Sequence, residues 1–140
     1  MKKKLGFIID EPQDAVLIQE LLDTMEKNKL DYTNTFRDLM NENISNENLK
    51  DFYSKWTIRI DKQNRDKQEV ITLMRKNNPV VIPRNHKVEE SLKEAHKGNL
   101  PSLNNLLNAL KDPYTERGDL ILYQQPAPES EKKYKTFCGT

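Results

Sequence analysis

The chain ends "KTFCGT", and its only cysteine, Cys138, stands two residues from the last position. A thiol on a tail is open to oxidants and to partner thiols, so redox chemistry is the first function to weigh. Only one basic residue, Lys135, stands beside it to favour a thiolate, and an incidental cysteine is the competing reading. Two histidines, His86 and His96, offer metal ligation with Glu89 or Glu90. On one helix ten residues separate them by about 15 Å, too far to share an ion, so surface or capping histidines are expected. Lys55, Arg59 and Lys62 share a helix face near Trp56, as a nucleic-acid stripe would, but Asp51, Asp61 and Asp66 interrupt it. A solvated helix face is the expected outcome. Tyr32, Phe36, Phe52, Tyr53 and Trp56 fall at core spacing and read as packing. The glycines (Gly6, Gly98, Gly118, Gly139) are too scattered to cradle a phosphate. On this reading the chain carries no catalytic, cofactor-binding or metal-ligating residue of its own.

Bulk properties agree with a modest soluble module. The 140 residues favour one domain, and 23 basic against 22 acidic residues leave a net charge of +1. Such balance gives no electrostatic reason to seek nucleic acid or an anionic membrane. With 35% hydrophobic and 32% charged residues and a mean hydropathy of −0.90, the core must be thin. A lone cysteine excludes an internal disulfide framework and fits a reducing, cytoplasmic setting. The basic opening "MKKKLGFIID" is followed by too short an apolar run for a signal peptide, and no window is long enough to span a bilayer.

The elements that must position these residues are helical. After "DEPQD", Ile18, Leu21, Leu22 and Met25 recur at i, i+3, i+4, i+7 up to about Asn28. Asp31 is the expected N-cap of a helix presenting Tyr32, Phe36, Leu39 and Met40. Leu49, Phe52, Tyr53, Trp56 and Ile60 make the strongest stripe, and Val70, Leu73 and Met74 mark a helix over 66–76. "NNPVVIPRNH" should run extended between its prolines, with Arg84 and Asn85 fixing the turn into the next helix and Asn85 capping it. Val88, Leu92 and Ala95 then resume helical spacing as far as Gly98, a suitable C-terminal cap. Pro101 opens a last helix with Leu103, Leu106, Leu107 and Leu110 inward. The expected architecture is all-α: about six amphipathic helices over 1–114 and an extended, partly ordered arm over 115–140.

Three stretches carry a resemblance. "DYTNTFRDL" (31–39), "NPVVIPRNHKVEESLKEAHKGNL" (78–100) and "YKTFCGT" (134–140), with "KLGF", the Trp56 helix and "LLNALKDPY", resemble in order and spacing the C-terminal region of the selenoprotein O family. The resemblance covers essentially the whole chain. It implies a protein adenylyltransferase with a kinase-like fold that uses ATP and magnesium to transfer AMP to protein hydroxyls. It also implies a redox-active position at Cys138, which is selenocysteine in some animal members. The kinase-like lobes of that family have no counterpart in these residues. The chain is therefore expected to be the C-terminal part of a longer protein, or a truncated reading frame, inactive alone. Its expected partners are those lobes and, through them, protein substrates. The alternative is a free-standing helical protein–protein interaction module.

Overall fold

The computed structural model describes residues 1–128, and Cys138 lies outside them. Among the described residues the regular structure is helical throughout: α1 (Asp14–Lys27), α2 (Tyr32–Met40), α3 (Lys50–Lys62), α4 (Lys67–Asn77), α5 (Asn85–His96), α6 (Pro101–Leu110) and α7 (Ile121–Gln124). Short 3-10 turns occupy Lys2–Leu5, Glu47–Leu49 and Gly118–Leu120. The expected all-α architecture holds, with one further short helix inside the stretch read as extended after Thr115. No helix among the described residues is long and apolar enough to cross a membrane.

The chain divides into two compact units, Met1–Val80 and a second beginning at Val81. In the first, two of the four helices start where a side chain satisfies a free backbone donor. The Asn34 N–H donates to Asp31 Oδ1 at 2.8 Å to open α2, as expected, and the Gln68 N–H donates to Asp66 Oδ1 at 2.8 Å to open α4. The core joins Leu21 and Met25 of α1, Phe36, Leu39 and Met40 of α2, Phe52 and Trp56 of α3, and Val70 and Met74 of α4. Leu5 and Phe7 from the N-terminal segment are buried with them. Tyr32 corrects the sequence reading: it is exposed, its ring resting against Phe36 at 4.9 Å between centroids.

That N-terminal segment turns at Gly6, whose φ of +75° suits a residue without Cβ. A Cβ there would meet Val70 Cγ1 at 2.6 Å and Met74 at 3.2 Å, so α4 packs directly on the bare glycine backbone. The "KLGF" stretch is thus a close approach of backbone to helix.

In the second unit α5 and α6 form a helical hairpin. Gly98, at φ +84°, ends α5 as expected: its N–H donates to Ala95 O, and the Asn99 N–H reaches back to Glu94 O at 3.0 Å. Pro101 occupies the first turn of α6, where its missing N–H is harmless. Between the two helices the Ser91 and Ser102 hydroxyls lie 3.3 Å apart. Three expectations fail here. Leu92 and Leu107 are exposed, while Ser91 and Ala109 take the buried positions, because small residues let the two helices approach. Asn85 is the first helical residue and exposed; Arg84 precedes it at the cap, and no side chain accepts a cap hydrogen bond there.

Candidate functional site

The densest set of buried polar side chains converges on the N-terminal segment. From α3, the Trp56 indole N–H donates to Leu5 O at 2.9 Å. One turn of helix further, Arg59 Nη2 donates to Ile9 O at 2.6 Å. Gln63, just past the end of α3, accepts from the N–H groups of Ile8 (2.7 Å) and Ile9 (3.1 Å) and donates to Gly6 O at 3.1 Å. Past the end of α4, Asn78 Nδ2 donates to Lys4 O at 2.8 Å. An irregular segment inside a core must find partners for its amides. These side chains supply them where no helix or sheet can.

An ion pair closes the set. Arg59 Nε donates to Asp14 Oδ1 at 2.6 Å and Nη2 to Oδ2 at 3.1 Å, while the guanidinium lies 4.6 Å from the centroid of the Phe7 ring. The side chains are 9% and 0% exposed. Burial by itself would raise the Asp14 pKa. The Arg59 hydrogen bond, the Glu11 N–H at 2.9 Å and the charges of Arg59 and Lys2 outweigh it and hold the carboxyl below its ordinary value. Asp14 is therefore a fixed anion at neutral pH, committed to Arg59 and to the backbone rather than poised for proton transfer.

The solvated helix face expected for Lys55, Arg59 and Lys62 is thus corrected at Arg59 alone. Arg59 turns inward, and the outer two lysines are paired. Lys55 meets Glu20 at 2.6 Å and Asp51 at 2.8 Å, and these acids push its pKa up to about 12. Lys62 meets Glu11 at 2.8 Å. These contacts run α1 antiparallel to α3, with Asp14 and Arg59 at the centre. His86 is half-buried and His96 exposed. Among the described residues no group of three or more His, Cys, Asp or Glu could hold a metal ion. What the arrangement does chemically is anchor a chain segment.

Sequence reasoning missed Asp14, Gln63 and Asn78, and it placed Arg59 on the solvated face rather than in the buried pair. A signal existed for α3: Phe52, Trp56, Arg59 and Gln63 follow 4-3-4 spacing, so two polar residues continue the apolar stripe.

Comparison with known proteins adds a family. Residues 1–111 match the family model described as protein adenylyltransferase SelO. A protein nucleotidyltransferase YdiU of Clostridium perfringens (strain 13 / Type A) is 43% identical over 146 residues, covering 100% of this chain and 30% of that protein. The protein of that name from Bacillus cereus (strain AH187) is 44% identical over 147 residues, again with 100% and 30% covered. The one from Bacillus mycoides (strain KBAB4) gives the same identity and coverage. The chain thus spans less than a third of the length of these curated relatives.

Proposed function

Since the chain belongs to the SelO family of protein adenylyltransferases, we propose that it is the C-terminal helical portion of an enzyme that transfers AMP from ATP to protein hydroxyls, inactive when alone. One observation carries this reading: the match runs through the whole chain yet occupies only 30% of each relative. The structure is consistent with a supporting role. The described residues do not fit magnesium–ATP: Trp56, Arg59, Gln63 and Asn78 spend donors on backbone carbonyls within residues 4–9, and no group of three or more His, Cys, Asp or Glu among the described residues could hold a metal. No step of the reaction is therefore assigned to them, and ATP, magnesium and the protein substrate belong to the rest of the longer enzyme.

Cys138 is assigned a regulatory part. Two-electron oxidation by a peroxide would join its sulfur to a thiol elsewhere in the longer protein, the two thiol protons leaving in water.

The test is a titration of this chain with magnesium–ATP, and an AMP-transfer assay, beside a chimera in which it replaces the matching 146 residues of the Clostridium relative. The chain should show neither binding nor transfer, and the chimera both. Transfer by the isolated chain would overturn the reading, as would a folded chimera without activity. Cys138→Ser in the chimera should make transfer insensitive to reductant, and retained sensitivity removes the assignment.

A further inference from the structure

Helix α6 is unlike the rest of the molecule in charge. The chain is 32% charged, yet between Lys97 and Lys111 no residue carries a charge, and this is its longest uncharged run. Surface helices normally alternate apolar and charged faces. Here the outward residues are asparagines and leucines.

The leucines are also ordered. Leu100, Leu103, Leu107 and Leu110 recur at three- and four-residue steps, with Tyr114 in the next place of the same register. That is the narrow seam by which one helix packs on another. It is not the face turned to α5, which uses Ser102, Leu106 and Ala109. Relative to Leu106, the seam is rotated by roughly a quarter turn. It is partly open to solvent: Leu100, Leu107 and Tyr114 are 53%, 51% and 48% exposed, and Leu103 and Leu110 are half-buried.

Depletion of charge with enrichment of large apolar residues marks the centre of a buried interface. We propose that the α6 seam is the surface on which this chain docks against the remainder of the longer family protein, onto an apolar, uncharged face. The proposal rests on the reading given under Proposed function. A second copy is the weaker occupant on size. Free association takes about 20–30 residues a side, and α6 has 10 residues, only part of them outward. A covalently joined partner needs far less, because linkage alone supplies an effective concentration in the millimolar range. The asparagines beside the seam, Asn104 and Asn108, can exchange hydrogen bonds with a partner's backbone without burying a charge.

The experiment uses the isolated chain and the same Clostridium chimera, each with and without Leu100→Glu/Leu107→Glu. Both leucines are exposed in the chain, so their replacement leaves its fold intact. Amide hydrogen exchange over 102–110 should be about tenfold slower in the chimera than in the isolated chain. The double substitution should erase that difference and lower the chimera's melting temperature by about 5 °C, while the isolated chain melts unchanged. Equal exchange in the two contexts, or a silent substitution in the chimera, overturns the proposal. So does an isolated chain that light scattering shows to be a dimer which the substitution splits, since the occupant is then a second copy. A chimera that transfers AMP but leaves 102–110 unprotected sinks the docking surface alone. Protection without transfer sinks the activity alone, and a chimera that yields no folded protein counts against both.

Discussion

Replacing Arg59 with methionine tests the centre of the first unit. The substitution keeps the aliphatic bulk against Phe7 and removes the charge, two hydrogen bonds to Asp14 and one to Ile9 O. Asp14, with a side chain fully buried, is left as an anion held by the Glu11 N–H. Stranding one member of a buried ion pair costs about 3–5 kcal/mol, a large part of a domain stability of about 5–15 kcal/mol. Asp14→Asn keeps the shape and should cost less, about 2 kcal/mol, since hydrogen bonds to a charged group are worth about 1.5–3 kcal/mol. Urea denaturation of both single variants and the double variant isolates their coupling, expected at about 2–3 kcal/mol.

The pH profile gives an independent reading with a definite sign. Asp14 has a folded pKa below its unfolded value, about 3.9. Its contribution is complete above that value and is lost as pH falls through the folded pKa. In Arg59→Met the largest depressing influence is gone and burial dominates, so the folded pKa rises above the unfolded one. The variant's Asp14 term then changes sign: it favours folding at low pH and loses ground as pH rises through the range above about 4. The reasoning is refuted if Arg59→Met costs under about 1 kcal/mol, the value of an exposed pair, or if its acid profile parallels that of the parent.

Three further outcomes are expected. Trp56→Ala should cost about 3–5 kcal/mol by emptying a core aromatic site, and Trp56→Phe about 1–3 kcal/mol, because Leu5 O loses its donor; unchanged denaturation midpoints would contradict the burial. Gly6→Ala should cost more than the roughly 1–2 kcal/mol of a left-handed residue, since its Cβ also meets Val70 at 2.6 Å, and a thermal melt within a degree of the parent would show that α4 gives way freely. Asn85→Ala should leave stability within about 0.5 kcal/mol, as Asn85 is exposed and caps nothing; a loss near 1 kcal/mol by urea titration would restore it as a cap.

The apolar stripes of α1, α3 and α4 were legible because burial of periodic side chains is a local property: Leu21 and Met25, or Phe52 and Trp56, share a face whatever packs against it. So were the helix ends at Asp31 and Gly98, each set by one residue's capacity to satisfy or bend its own backbone. Arg59 failed that logic. Its neighbours in sequence, Lys55 and Lys62, are solvated and paired with acids, and only the arrival of Asp14, remote in the chain, turns the same residue type inward. Gln63 and Asn78 are missed for the same reason. Their partners are backbone atoms of residues 4–9, which no periodicity in α3 or α4 can announce.

The leucines of α6 show the converse. Leu103, Leu106, Leu107 and Leu110 read as one inward face, and helical periodicity is right that they form an apolar surface. Periodicity reports that a face is apolar, not what covers it. In this fold α5 takes only the Leu106 and Ala109 side, because Ser91 and Ser102 bring the hairpin together there, and Leu107 stays in water. An apolar face wider than its visible partner, on a helix with no charge to solvate it, implies a second contact. The hydrophobic free energy of such half-exposed leucines, about 25 cal/mol per Å² of area still open, is available to whatever surface closes over them.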